Sequence, residues 1–293
     1  MQKLKLSTAP DRQKRVLAVH DISCVGRCSL TVALPVLSAM GFETSILPTS
    51  ILSTHTGGFE GYTYRDLSAD MNPIANHWHA LGLRFDAIFT GWLGTHRHVE
   101  NLAHLLEAVG PGAELIADPV MGDNGRLYAT LDGDYVDAMR RFCGRAELLL
   151  PNITEAAILT GTEYPYPGYN RAWVADMLRR LIDLGPRVAV LTGVSLQPGR
   201  IGAAAMDRYS GEMICYDDAF IPGMWHGAGD VFASALIGAH LRGAPLDRAL
   251  RLAVTFTARC IRRTRDAGTD ERLGLQFEPE LMTLADNPGP RYE

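Results

Sequence analysis

Apolar residues along this chain fall into two alternating patterns: short continuous runs, and longer stretches that repeat every three or four positions. The first pattern marks buried strands and the second amphipathic helices, so the alternation predicts strands and helices taking turns. Buried-strand runs are Val16–His20, Phe85–Gly94, Glu114–Asp118, Glu147–Leu150 and Val188–Leu191, and Glu43–Ser50 alternates as a half-exposed strand whose Pro48 suggests an edge. Helical spacing covers Cys28–Met40, a stretch ending at Trp78, Leu81 and Leu83, and the segments through Leu241 and from Leu246 to Ile261. His96, His98 and His104 fall on a helix and read as solvated. Ile201–Met206 and Glu212–Tyr216 read as a hairpin turning at Tyr209–Gly211. Strands that alternate with helices imply a mostly parallel sheet covered on both faces. The expected architecture is an α/β fold, a three-layer α/β/α sandwich, with residues 1–14 a flexible leader and 15–293 one domain ending in a loose tail around Asn287–Pro290.

In a parallel sheet, ligands gather at the carboxyl ends of the strands. Several polar residues fall there. Asp21 and Ser23 follow the first run in what reads as a turn, Asp21 to Arg27. Trp92 lies past the end of another run, where core packing and stacking on a flat ring are both open. Asp118 arrives just before Pro119, as a turn-former or a carboxylate for Mg²⁺. Asn152 precedes a helix with Glu155 three residues on, the spacing of a capping box. Thr192 closes another strand.

The most distinctive stretch is Gly223–Ser234, a glycine-rich turn running straight into a helix. Gly227 and Gly229 leave room for a ligand to meet backbone amides at the positive end of the helix dipole. Asp230 then stands in the first helical turn, either as an ordinary cap or as a general base beside a phosphate cradle.

Composition narrows the function. A chain of 293 residues with a formal charge of -5 has no electrostatic footprint for nucleic acid or an anionic membrane. No apolar run approaches the roughly 18 residues of a membrane span. The five cysteines form no even disulfide framework, and Cys24 and Cys28 lack a second ligand pair for a metal, so reduced thiols in the cytoplasm are expected. The turn from Asp21 to Arg27 also lacks the glycine spacing of a dinucleotide site.

Taken together, Gly227-Ala228-Gly229-Asp230, Asn152 with Glu155, and Asp118-Pro119-Val120 resemble the ribokinase-like small-molecule kinases. Within them, Gly26–Pro35, Ser53–Phe59 and Asp118–Gly125 are most similar to the pyridoxal kinases. The resemblance covers Arg15 to about Arg265. It implies phosphorylation of a hydroxymethyl group on a pyridine ring by ATP, with Asp230 as base and the amides of Gly227, Ala228 and Gly229 as an anion hole. Asp118, Tyr128, Asn152, Glu155 and Thr192 would meet the nucleotide, with Asp118 and Glu155 bearing on Mg²⁺, partly through water. Asp21, Ser23, Thr56 and Trp92 would line the vitamin pocket. K⁺ is the candidate monovalent cation, and a homodimer is the usual assembly of such enzymes. Ala228 stands where many pyridoxal kinases have threonine, and Trp92 where tyrosine is common. The short turn after Asp21 is similar to that of the hydroxymethylpyrimidine kinases, which keeps that ring as the alternative substrate.

Overall fold

The computed structural model describes residues 3, 4, 6, 12–166 and 168–285, so most of the expected leader and the tail around Asn287–Pro290 lie outside the described residues. In chain order the elements are β1 Arg15–Val25, α1 Leu30–Ala39, β2 Glu43–Thr54, β3 Tyr64–Asp66, α2 Ser68–Leu81, β4 Ala87–Thr90, α3 His96–Val109, β5 Glu114–Ala117, β6 Gly122–Asp123, β7 Arg126–Leu127, α4 Gly133–Cys143, β8 Leu148–Leu149, α5 Ile153–Thr160, α6 Arg171–Asp183, β9 Val188–Val194, β10 Arg200–Asp207, β11 Met213–Ala219, α7 Ala228–Leu241, α8 Leu246–Ala267 and α9 Met282–Ala285. Eleven residues in β1 and a mere two in β8 show how unevenly the strands contribute.

Among the described residues the main sheet runs β11-β10-β9-β8-β5-β4-β1-β2-β3. Its centre, from β9 to β2, is parallel, while β10, β11 and β3 join antiparallel. Period-two alternation sends Leu17 and Val19 into one apolar layer with α2 to α6, and Val16 and Ala18 into the other with α1, α7 and α8. Burial on both faces explains why the central strands read as continuous apolar runs.

Most of the turn expected from Asp21 to Arg27 is instead the second half of β1, which runs on to Val25. Strand β2 continues to Thr54 and takes up one extra residue opposite Asp21, so Ile22 pairs with Ile51, Ser23 with Leu52 and Val25 with Thr54. The backbone partner keeps the strand going where local composition suggested a stop. Pro48 does lie on an edge, because β3 meets β2 only from Ser50 to Leu52.

His98 is also unlike its expectation. It is fully buried, with Nε2 at 2.9 Å from Asp66 Oδ1 and Nδ1 against the Leu93 carbonyl. Asp66 comes from β3, 32 residues away, and turns a polar position of α3 inward. The polar glycine loop after Asp118 is a small hairpin of β6 and β7, turned by Asn124 (φ 52°) and Gly125 (φ 74°). Asn-Gly is a strong two-residue hairpin signal, and both positive φ angles match it. At the start of the chain, Arg12 pairs with Asp86 at 2.6 Å and Lys14 Nζ donates to Leu241 O at 2.6 Å.

Candidate active site

Beyond the carboxyl ends of β4, β5, β8 and β9, a cavity of about 460 Å³ is walled by Trp92, Asp118, Asn152, Glu155 and Thr192. Gly227, Ala228, Gly229 and Asp230 enter it from the opposite side, and Tyr128 from the segment after β7. Residues as far apart in sequence as Trp92 and Asp230 thus share one space.

The glycine turn is shaped by contact and by hydrogen bonds. Gly227 is the N-cap of α7 with φ 75°, and a Cβ there would collide with the Arg27 carbonyl. Glycine is therefore required at this position on two counts. Met224 N donates to Glu271 Oε2 at 2.9 Å and Trp225 Nε1 to Ile221 O at 2.9 Å, which ties the turn at both sides. Ala228 N donates to Trp225 O at 3.2 Å, so its amide, expected in the anion hole, is engaged within the turn. No hydrogen bond takes up the amides of Gly227 and Gly229 among the described residues, and the space beside Gly229 is open.

Five acidic residues line this region, Asp118, Asp123, Glu155, Asp218 and Asp230, and the first, third and last of them bear on the chemistry. Asp118 is 9 % exposed and Glu155 3 %. Glu155 closes a capping box: its Oε2 accepts from Asn152 N at 2.8 Å while Asn152 Oδ1 accepts from Glu155 N at 2.9 Å. Met121 N also donates to Glu155 Oε1 at 3.1 Å. Asn152 Nδ2 donates to Gly122 O at 2.9 Å, and Thr154 Oγ1 accepts from Gly125 N at 2.9 Å, which pins the β6–β7 hairpin to α5.

Burial raises all three acids. Asp230 is pushed up to about 7 by loss of hydration, with the polar Ser29 backbone opposing the rise and Asp21 reinforcing it. Glu155 is pushed up to about 8 by burial, against its backbone donors. Asp118 is raised well above the carboxylate range by burial, then by Glu155 and Asp230. No hydrogen bond reaches the Asp118 carboxylate among the described residues. Like charges gathered in a dry site fit a cation that would neutralise them. Asp118 has free oxygens for such an ion, whereas those of Glu155 are largely taken by amides.

The substrate-side residues divide. Trp92 is half-buried, lines the cavity and meets Tyr64 edge-on at 6.4 Å between ring centroids. Asp21 and Ser23 are buried and joined by a 3.1 Å hydrogen bond, and neither forms part of the cavity wall, whereas Ser29 does. Thr56 is exposed and forms no part of the cavity wall. Its loop is held elsewhere: His55 Nε2 lies 2.6 Å from Arg272 O, Gly57 N donates to His55 Nδ1 at 3.1 Å, and His55 stacks obliquely on His226 at 5.0 Å.

The cavity also has an apolar arm, made by Ile201, Ile221, Val254 and Ile261. Helical and strand periodicity mark Ile201, Val254 and Ile261 as core, and nothing in a periodic pattern separates a core face from a pocket wall. Ser29, Trp225 and His226 line the cavity as well. His226 could have been found from its place next to Gly227, and Ser29 from its place at the head of the first helix.

Comparison with known proteins bears on this geometry. The family model described as phosphomethylpyrimidine kinase matches residues 34–273. The pyridoxine/pyridoxal/pyridoxamine kinase of Bordetella avium is 30% identical over 283 residues, covering 90% of this chain and 90% of its own. A Bacteroides thetaiotaomicron protein described as a phosphomethylpyrimidine kinase, in an orthorhombic crystal form with pyridoxal, is 36% identical, covers 94% of this chain and 97% of its own, and superposes with a TM-score of 0.89. The pyridoxal kinase of Lactobacillus plantarum is 34% identical, covers 93% and 97%, and superposes with a TM-score of 0.86. The expected ribokinase-like sandwich is thus shared with pyridoxal kinase, and the chain belongs to the phosphomethylpyrimidine kinase family.

Proposed function

We propose that this chain is an ATP-dependent pyridoxal kinase, which moves the γ-phosphoryl group onto the 5′-hydroxymethyl group of pyridoxal, pyridoxine or pyridoxamine. One observation carries the reading: the Asp230 carboxyl stands at the head of a helix beside open glycine amides and shares a cavity with Asp118. The likeness to pyridoxal kinases at 30% identity or more supports the choice of ring.

In this reading Asp230 accepts the hydroxyl proton as the oxygen attacks phosphorus. A base at about 7 is matched to neutral pH, half ionised and strong enough to take the proton. The amides of Gly227 and Gly229 and the start of α7 hold the phosphoryl oxygens, where developing charge is offset without any movement of the protein. Asp230 N, in the same turn, replaces the engaged Ala228 amide as the third donor. The arm of Ile201, Ile221, Val254 and Ile261 takes the flat nucleotide base and excludes water. Tyr128 and Thr192 border the phosphates, and Trp92 stacks on the vitamin ring. Asn152 serves the phosphates mainly by fixing the β6–β7 hairpin. When bound, Mg²⁺ would supply positive charge to the phosphates, and Asp118 and Glu155 are the residues that would hold it, partly through water.

A second reading, a hydroxymethylpyrimidine kinase, is favoured by the description of the family model. Values of kcat/KM for pyridoxal, pyridoxine, pyridoxamine and hydroxymethylpyrimidine, measured side by side, separate the two. A pyridine preference of tenfold or so supports the first reading, and the reverse order establishes the second. Omitting Mg²⁺ should abolish turnover, and a K⁺ titration tests the monovalent requirement. The free cysteines fit a reducing cytoplasm, and we infer a homodimer, which sedimentation would test.

A further inference from the structure

We propose that His98 is a positioning residue for Trp92: through Asp66 it locks the segment that carries Trp92 to the strand that carries Tyr64, and so sets the aromatic wall against which the vitamin ring packs. The inference rests on the reading of Trp92 as the residue that stacks on that ring.

Trp92 lies between β4 and α3, outside any strand or helix. Its ring borders the cavity, and Tyr64, which is not part of the cavity wall, meets it edge-on at 6.4 Å between centroids with 80° between the planes. Gly94, at φ 50°, lies against the indole, where a Cβ would come within 2.9 Å of it. An edge-to-face pair depends on the placement of both rings. The sheet alone holds Tyr64 weakly. Strand β3 has three residues, all exposed, stands at the edge of the sheet and pairs with β2 from Ser50 to Leu52.

His98 supplies a second link. Its ring is fully buried, with Nδ1 against the carbonyl of Leu93, the residue after Trp92, and Nε2 at 2.9 Å from Oδ1 of Asp66, two residues past Tyr64. A carbonyl only accepts, so Nδ1 is the donor to Leu93. Period-two alternation puts Tyr64 and Asp66 on one face of β3. Asp66 Oδ1 also accepts from Ser68 N at 2.7 Å, which fixes the carboxylate at the start of α2. On the other side, Thr49 Oγ1 donates to the Trp92 carbonyl at 3.4 Å and Thr95 N donates to the Leu93 carbonyl. One imidazole thus joins the backbone beside Trp92 to the strand beneath Tyr64.

Neither capping nor packing accounts for a histidine here. Thr95 is the N-cap of α3 and its hydroxyl accepts from His98 N at 3.4 Å, so the His98 side chain takes no part in the cap. A residue needed only to fill this space would be apolar, as Val99 and Leu102 of the same helix are. Burying a polar ring is costly unless its nitrogens find partners, and both partners found here belong to the two elements that carry Trp92 and Tyr64.

The test is steady-state kinetics for pyridoxal and Mg-ATP, with thermal melts, on the wild type, His98→Phe, Asp66→Ala, Asp66→Asn, Trp92→Ala and the double variant Trp92→Ala with His98→Phe. His98→Phe keeps a buried ring and loses both hydrogen bonds. The KM for pyridoxal should rise about 3- to 10-fold, with kcat and the KM for ATP little changed, and Asp66→Ala should do the same. An asparagine can still meet both the imidazole and Ser68 N, so Asp66→Asn should stay within about twofold of the wild type. Trp92→Ala should raise the same KM, and adding His98→Phe to it should raise it no further, because the two act through one contact. A role in stability alone predicts lower melting temperatures and no such selectivity. An unmoved KM for pyridoxal in His98→Phe, a rise shared equally by ATP, or a full further rise in the double variant overturns the proposal. If His98→Phe does not fold, the Asp66 pair decides: a rise in Asp66→Ala alone supports the proposal, and equal values in the two reject it. If Trp92→Ala leaves the KM for pyridoxal unmoved, the stacking reading of Trp92 fails and the proposal with it, whereas an inactive wild type rejects the kinase reading on which both rest.

Discussion

The α-carbon of Gly227 lies directly against the carbonyl oxygen of Arg27, and no methyl group fits between them. This contact joins the glycine turn at the head of α7 to the segment between β1 and α1, so the turn that carries Asp230 packs directly on that segment. Gly227→Ala should force the two apart and also place a side chain at φ 75°. The expected result is a loss of about 1–3 kcal/mol in stability and about 10²-fold or more in turnover, read from thermal melts and steady-state rates. Gly229→Ala provides the contrast. Open space surrounds that position, so the protein should melt as the wild type does while the methyl enters the cavity and weakens nucleotide binding.

Activity should depend on pH through Asp230. Burial raises its pKa from the ordinary 3.8 to about 7, so the base is protonated and idle below that value. The kcat/KM for pyridoxal should therefore fall tenfold per pH unit on the acid side of about 7. An acid limb near 4 would show instead a base open to water.

The same shift has an opposite sign in stability. A carboxyl with a folded pKa above its unfolded value binds more protons in the folded state between the two, so its contribution is full at low pH and is lost as pH rises from about 4 to about 7. Asp230→Asn removes the charge without removing the side chain. It should raise the melting temperature of the ligand-free protein at pH 8 by roughly 2 °C or more, and should gain much less at pH 4. Equal gains at both values would mean that the carboxylate is not strained by burial.

Asn152 connects two elements, and its loss should show in both. Asn152→Ala removes the cap of α5, worth about 1 kcal/mol, and frees the Gly122 carbonyl that holds the β6–β7 hairpin. Thermal melts should report the first loss, and a higher KM for ATP the second. A stability loss with no change in KM would confine Asn152 to capping.

Much of this site was legible because it obeys local rules. Asp118 before Pro119, the Asn152–Glu155 spacing and the Gly227–Asp230 motif each announce a strand end or a helix start from neighbouring residues. Positions set by distant partners were not legible. His55 is held by Arg272, 217 residues away, which draws the Thr56 loop off the cavity. The continuation of β1 past His20 depends on the length of β2, and the burial of His98 on Asp66. The engaged amide of Ala228 is a matter of dihedral angle, which residue type alone does not carry.

The central claim is that Asp230 deprotonates a hydroxymethyl group in a cavity shared with ATP. The direct measurement is transfer of phosphate from Mg-ATP to pyridoxal by the purified chain and by its Asp230→Asn variant, with nucleotide affinity recorded for both. Turnover that falls by roughly 10²–10⁴-fold in the variant, at unchanged nucleotide affinity, is the predicted result. Equal turnover in the two proteins, or no transfer by the wild type to pyridoxal or to hydroxymethylpyrimidine, would contradict it.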